Sequence, residues 1–149
     1  MRAVVMRVKE ASVTINGEVR AQIGKGLLVL LGVAPKDTEK EAAYLADRIT
    51  GVRIFADDLG KMNLNLAAVS GALLVVSQFT LYADLKSRRP GFTKAAKPET
   101  AAPLYEVFMA ECRKRGFTVE QGEFGADMRV ASVNDGPVTL LFDTDTKTG

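Results

Sequence analysis

The sequence predicts a mixed-sheet α/β fold with sheets and helices in layers, in the order βββ-α-β-α-βββ, and three observations carry that reading. Two runs, Leu27–Val33 and Leu73–Val76, are almost wholly aliphatic, as strands covered on both faces are. A helical pattern follows each of them, which permits a right-handed crossover to a parallel neighbour. Short alternating segments at both ends of the chain require antiparallel pairing, so the sheet is mixed.

Val4, Met6 and Val8 alternate with Val5, Arg7 and Lys9, and Ser12–Ile15 then meets Asn16-Gly17. Both turn residues tolerate positive φ, which predicts a tight hairpin returning as Val19–Ile23. Leu27–Val33 is the central strand. Ala34-Pro35-Lys36-Asp37 ends it, and Thr38-x-x-Glu41 has the spacing of a capping box. The helix that follows buries Ala42, Leu45, Ile49 and Val52 and stops at Gly51. From Arg53 to Gly71 the pattern is a loop with short strand pieces, in which Asp57 and Asp58 read as turn formers around Gly60 rather than as a metal pair.

A strand over Ala72–Leu81 comes next and turns polar at Ser77-Gln78-Phe79-Thr80. A second helix is predicted from about Pro98 to Arg115, with Leu104, Tyr105, Phe108 and Cys112 on its apolar stripe and Gly116 as its stop. Pro103 either kinks its first turns or belongs to a helix that starts near Thr100. Three strands close the chain, at Phe117–Glu120, Met128–Val133 and Val138–Phe142, and on propensity Asn134-Asp135-Gly136-Pro137 is a hairpin turn between the last two. A length of 149 residues suits one domain over 1–149.

Composition excludes whole classes of chemistry. The chain has no histidine, which removes Ser-His-Asp and Cys-His catalysis and every His-containing zinc site. Its one cysteine, Cys112, lies on an apolar helical face and reads as a small buried hydrophobe. No metal or cofactor is expected. The start, Met1–Val8, lacks the apolar core of a signal peptide and no run approaches a membrane span, so a cytoplasmic protein is expected. Net charge is only +2, but Lys86, Arg88, Arg89, Lys94 and Lys97 stand together without an acidic residue between them. The result is a local basic loop.

Two blocks, Ser77-Gln78-Phe79-Thr80-Leu81 and Asn134-Asp135-Gly136-Pro137-Val138-Thr139, resemble the paired signature of the D-aminoacyl-tRNA deacylase family. Arg7, Gly60-Lys61-Met62-Asn63, Arg89-Pro90-x-Phe92 and Leu104-Tyr105-x-x-Phe108 match in order and extend the resemblance over nearly the whole chain. Gly91 and Pro103 depart from the pattern. The resemblance implies a layered β/β/α fold with barrel-like packing of sheets in a homodimer, and an active site at the subunit interface. It also implies a cis Gly136-Pro137 peptide, inserted into the partner's site, whose carbonyls face the substrate's α-amino group and leave no room for an L side chain.

On this reading the substrate is D-aminoacyl-tRNA, and glycyl-tRNA mischarged on tRNA(Ala) is a second one. The backbone around Phe79 and Thr80 stabilises the oxyanion, Ser77 and Gln78 orient the ester, and Phe79 helps to form the adenosine pocket. Arg7 and Asn134 serve the Gly136-Pro137 segment, Arg7 as its brace. Lys86, Arg88, Arg89 and Lys94 meet the phosphates of the acceptor end. Thr80 is either a nucleophile or a positioning group. A threonine hydroxyl needs an adjacent base, and with no histidine present, attack by water assisted by the ribose 2′-hydroxyl is favoured. The alternative function is a non-catalytic basic RNA- or DNA-binding module, which the shortage of interleaved aromatic and basic positions disfavours.

Overall fold

In the computed structural model the alternating start of the chain runs as one long strand, β1 (Arg2–Ile15). Residues 1–146 are described, so the last three of the expected 1–149 domain lie outside the described residues. Asn16 (φ 51°) and Gly17 (φ 79°) turn the chain into β2 (Glu18–Ile23), as the dipeptide predicts. The aliphatic run forms β3 (Gly26–Gly32). On one edge β1 pairs antiparallel with β3 over Arg2–Val8 and with β2 over Ala11–Ile15.

Helix α1 (Glu39–Gly51) starts on Thr38, whose hydroxyl accepts from the Lys40 amide and donates to Glu41. The capping box forms as its spacing predicts, with the Glu41 carboxylate held below its usual range by the Thr38 hydroxyl and also drawing on the Thr38 backbone. Short strands β4 (Phe55–Ala56) and β5 (Met62–Leu64) make a separate two-stranded sheet. Asp57 between them accepts from the Leu59 and Lys61 amides, the role of a turn former.

β6 (Ala72–Ser77) lies parallel to β3, and β7 (Val119–Gln121) parallel to β6, so both crossovers appear where the helical patterns place them. Helix α2 spans Pro98–Lys114 with Pro98 in its first turn and Pro103 inside it. Pro103 is exposed, so the carbonyl it leaves free one turn back is open to water and the helix continues. Gly116, at φ 95°, ends it: its amide bonds the Arg113 carbonyl and that of Phe117 bonds Cys112, a Schellman pair.

Two expectations are corrected. The Ala72–Leu81 strand stops at Ser77, and Phe79–Tyr82 winds into a 3₁₀ turn. No hairpin forms at Asn134–Pro137 either, because Arg129–Asp143 is a single strand, β8, antiparallel to the free edge of β1. The two predicted strands are one strand interrupted by a bulge.

The sheet curls into a nearly closed barrel with two helices against it. Leu27, Val29, Leu31, Leu73 and Val75 face α1 and α2, while Leu28, Leu74 and Val76 face a second apolar cluster with Val8, Val13 and Ile23. Strands β3 and β6 are therefore buried on both faces, which is why their sequences do not alternate. None of the described helices is long and apolar enough to cross a membrane.

Candidate active site

The polar step after β6 marks the point where the chain leaves the core. Leu73–Val76 are buried, Ser77 and Gln78 half-buried, and Phe79 and Thr80 exposed. Gln78 still donates its amide to Leu31 of β3 and then leaves the strand conformation. The Phe79–Tyr82 turn closes through Leu81 to Gln78 and Ala83 to Thr80. The amides of Phe79 and Thr80 come first in that turn and bond no carbonyl among the described residues. They are two adjacent donors at an exposed strand end.

The Thr80 hydroxyl accepts from the Gln78 side-chain amide at 2.5 Å. No carboxylate or amine among the described residues bonds it, so nothing there takes its proton. Cys112 offers no alternative nucleophile, since burial pushes its thiol up to about 12.

Ser77, Gln78 and Phe79 line a cleft of about 590 Å³ whose far side is the start of α2 and the segment after β7. Aromatic rings furnish much of the wall. Phe79 meets Phe92 edge-on, with centroids 5.0 Å apart, and Tyr105 meets Phe124 at 6.1 Å. The Tyr105 hydroxyl donates to the Val75 carbonyl at 2.6 Å, tying α2 to the strand that carries the site. Burial raises that hydroxyl well above the usual tyrosine range, so it remains a donor at every working pH.

Arg7 and the Asn134–Pro137 block form a second, separate cluster. Met6 pairs with Thr139 and Val8 with Asn134, so residues 135–138 bulge out opposite Arg7 alone. The Asn134 side chain closes the base of the bulge, accepting from the Val138 amide and donating to Thr139, each at 2.9 Å. Arg7 donates from Nε to the Asp135 carbonyl at 3.0 Å and from Nη1 to the Ile54 carbonyl at 2.5 Å. Arg7 thus links the carbonyl just before Gly136 to Ile54, an anchor that no sequence pattern marks. Gly136-Pro137 is cis and exposed, and Gly136 sits at φ 128°. A Cβ there would stand 2.8 Å from Arg7 Nη2 and 2.9 Å from Val138 Cγ2. None of Arg7, Asn134, Gly136 or Pro137 lines the cleft beside Ser77–Phe79. Within one chain the two halves of the signature stay apart.

The basic loop folds on a bridge between Asp84 and Gly91. Lys86, Arg88 and Arg89 are exposed and make no ion pair among the described residues, while Lys94 lies 3.9 Å from Asp84. Lys97 reaches the cleft itself. Phe92, Tyr105 and Phe124 are cleft residues that the sequence reading did not assign; the Phe92 and Tyr105 blocks were visible in it, whereas Phe124 carries no local signal.

The family model described as D-Tyr-tRNA(Tyr) deacylase matches residues 4–143. The chain belongs to that family. A D-aminoacyl-tRNA deacylase of Thermus aquaticus is 57% identical over all of this chain and 99% of the relative. One from Chloroflexus aurantiacus is 59% identical over 97% of this chain and 91% of the relative. Among solved structures, the c-Myc DNA Unwinding Element Binding Protein superposes with a TM-score of 0.92 at 41% identity, covering 97% of this chain and 99% of that one. A probable eukaryotic D-amino acid tRNA deacylase, 16% identical, shares the fold with a TM-score of 0.83 over 95% of this chain and 97% of its own.

For a member of the deacylase family, exposed cations that make no ion pair among the described residues have a direct test. Charge reversal at Arg88 and Arg89 together should raise KM for aminoacyl-tRNA and flatten its dependence on salt, because fewer counterions are released on binding. An unchanged salt slope in steady-state assays would leave the loop as solvated surface.

Proposed function

We propose that the protein, as a single domain over 1–149, hydrolyses the ester of D-aminoacyl-tRNA, removing D-amino acids from mischarged tRNA in the cytoplasm. The observation that carries this reading is the pair of amides at Phe79 and Thr80, unpartnered among the described residues, in the turn whose first residue, Phe79, lines the cleft. Water attacks the ester carbonyl with help from the ribose 2′-hydroxyl, and the oxyanion forms against the two amides. The bond from the acyl carbon to the ribose oxygen then breaks. A proton from the water ends on that oxygen, leaving free D-amino acid and intact tRNA. Ser77 and Gln78 orient the ester, and Phe79 with Phe92 holds the terminal adenosine.

Chirality is read by exclusion at a composite site in a homodimer. The exposed Gly136-Pro137 bulge of one subunit enters the cleft of the other, where its backbone blocks an L side chain without contacting any particular D side chain. Exposed Val133 and Leu141 on β8 support a second copy covering this face. Glycine has no side chain to exclude, so glycyl-tRNA mischarged on tRNA(Ala) is cleaved as well.

Matched D- and L-aminoacyl-tRNA, followed for release of the amino acid, test the proposal. Release should occur from the D form, and Thr80→Ala should retain substantial activity because its hydroxyl only positions. Complete loss in a folded, tRNA-binding Thr80→Ala protein would restore Thr80 as nucleophile. The second reading, a nucleic-acid-binding module without catalysis, draws on the name of the 41% identical structure, the c-Myc DNA Unwinding Element Binding Protein. Binding with no release from either substrate would favour it.

A further inference from the structure

We infer that Arg2 is a positioning residue for the oxyanion-binding turn, holding it from the end opposite to the Phe79 and Thr80 amides. The inference rests on the hydrolase reading above and concerns a residue outside both signature blocks. Arg2 pairs across the sheet with Gly32 of β3, and its side chain reaches the turn. There Nη1 donates to the Leu81 carbonyl at 2.9 Å, and the guanidinium lies 4.5 Å from the centroid of the Tyr82 ring. Nε is held at 3.0 Å by Asp143, the last residue of β8.

Besides its own hydrogen bonds and the Phe79–Phe92 contact, the turn is fixed by what meets Leu81 and Tyr82. It projects beyond the end of β6, with Phe79 and Thr80 exposed. Gly32 supplies the seat: a Cβ there would come within 3.0 Å of the Gln78 carbonyl and of Leu81 Cβ, and within 3.4 Å of the Tyr82 ring. Tyr82 fills that seat as a buried ring whose hydroxyl has no hydrogen-bond partner among the described residues, so packing rather than hydrogen bonding locates it. The cation above the ring and the hydrogen bond to Leu81 therefore orient the turn about its own axis. A cation at the carbonyl end of a helical turn is also electrostatically favourable. Amide donors act on an oxyanion only when aimed at it, and misplacement by about 1 Å costs about 100-fold in rate. Arg2 touches no reacting atom; its effect passes through the turn.

Arg2→Met keeps the length and packing of the side chain and removes the donor and the charge, whereas Arg2→Lys restores a cation. The Arg2→Met protein should lose about 10- to 100-fold in kcat with KM for D-aminoacyl-tRNA within about threefold, and Arg2→Lys should recover most of the loss. Asp143→Asn, which keeps an acceptor oxygen for Nε and leaves the Leu81 contact in place, should stay within about threefold of the parent. A phosphonate analogue of D-aminoacyl-adenosine should bind Arg2→Met more weakly in step with kcat, while the amide-linked ground-state analogue binds unchanged. In NMR spectra the Phe79 and Thr80 amide resonances should shift or broaden.

Parental kcat in Arg2→Met, unmoved Phe79 and Thr80 resonances, equal weakening of both analogues, or an equal loss in Arg2→Lys or Asp143→Asn would each overturn the inference. A parent protein that fails to release D-amino acids would instead overturn the hydrolase reading, and the amide resonances would still decide whether Arg2 orders the turn.

Discussion

Phe79→Pro should lower kcat about 100- to 1000-fold relative to Phe79→Ala, because the two variants lack the same ring and differ in one backbone donor. The position accepts proline unusually well. Phe79 is the first residue of a 3₁₀ turn, where proline's fixed φ near −65° matches the 3₁₀ range and the missing N–H breaks no turn hydrogen bond. Gln78 before it has φ −144° and ψ 79°, outside the helical region that a following proline disfavours. Phe79→Ala alone should act mainly through KM, by removing the edge contact with Phe92 from the proposed adenosine pocket. The checking measurement is single-turnover deacylation of D-aminoacyl-tRNA by both variants, with thermal melts to establish equal folding. Equal rates in the two would remove the Phe79 amide from the mechanism and with it the backbone-template view of the turn.

The contrast between turn and strand also explains how far the sequence could be read. Leu27–Val33 and Leu73–Val76 were legible because burial on both faces leaves only aliphatic residues, and the helices after them because their apolar stripes keep a 3.6-residue period. Asn134-Asp135-Gly136-Pro137 misled on propensity alone. Its turn-forming residues do bend the chain, but the Asn134 side chain and Arg7 hold the bend as a bulge, and β8 continues along β1 on either side. That outcome depends on an arginine more than a hundred residues away, which no local pattern contains. The end of β6 was overrun for a similar reason: Phe79 and Leu81 continue an apolar alternation while the backbone has already left the sheet. The residue pairs of the candidate site were visible as motifs. Their separation into a cleft and an exposed bulge was not.

Arg7→Ala should relax discrimination between D- and L-aminoacyl-tRNA by tenfold or more and lower stability by about 2–4 kcal/mol. The Arg7 side chain is only 14% exposed, so removing it strands two carbonyls, those of Asp135 and Ile54, that its guanidinium bonds at 3.0 and 2.5 Å. A charged donor to each is worth about 1.5–3 kcal/mol, and water entering the gap recovers part of it. Lysine cannot substitute, because a single ammonium lacks the planar fork that reaches both carbonyls, and Arg7→Lys should fall nearer to alanine than to arginine. Steric exclusion needs a rigid wall: a bulge free to retreat would admit an L side chain while leaving D substrates room as before. The activity on the D form should therefore change less than the ratio does. Gly136→Ala approaches the same wall from the other side, since its Cβ would press on Arg7 Nη2 and Val138 with Arg7 still present, at a φ that disfavours side chains. Both variants should raise L-aminoacyl-tRNA cleavage or inhibition by the L substrate in competition assays. An Arg7→Ala protein with the parental D/L ratio would mean that the bulge is held by Asn134 and the partner subunit alone, and that Arg7 serves only to fasten the β4–β5 sheet to the barrel.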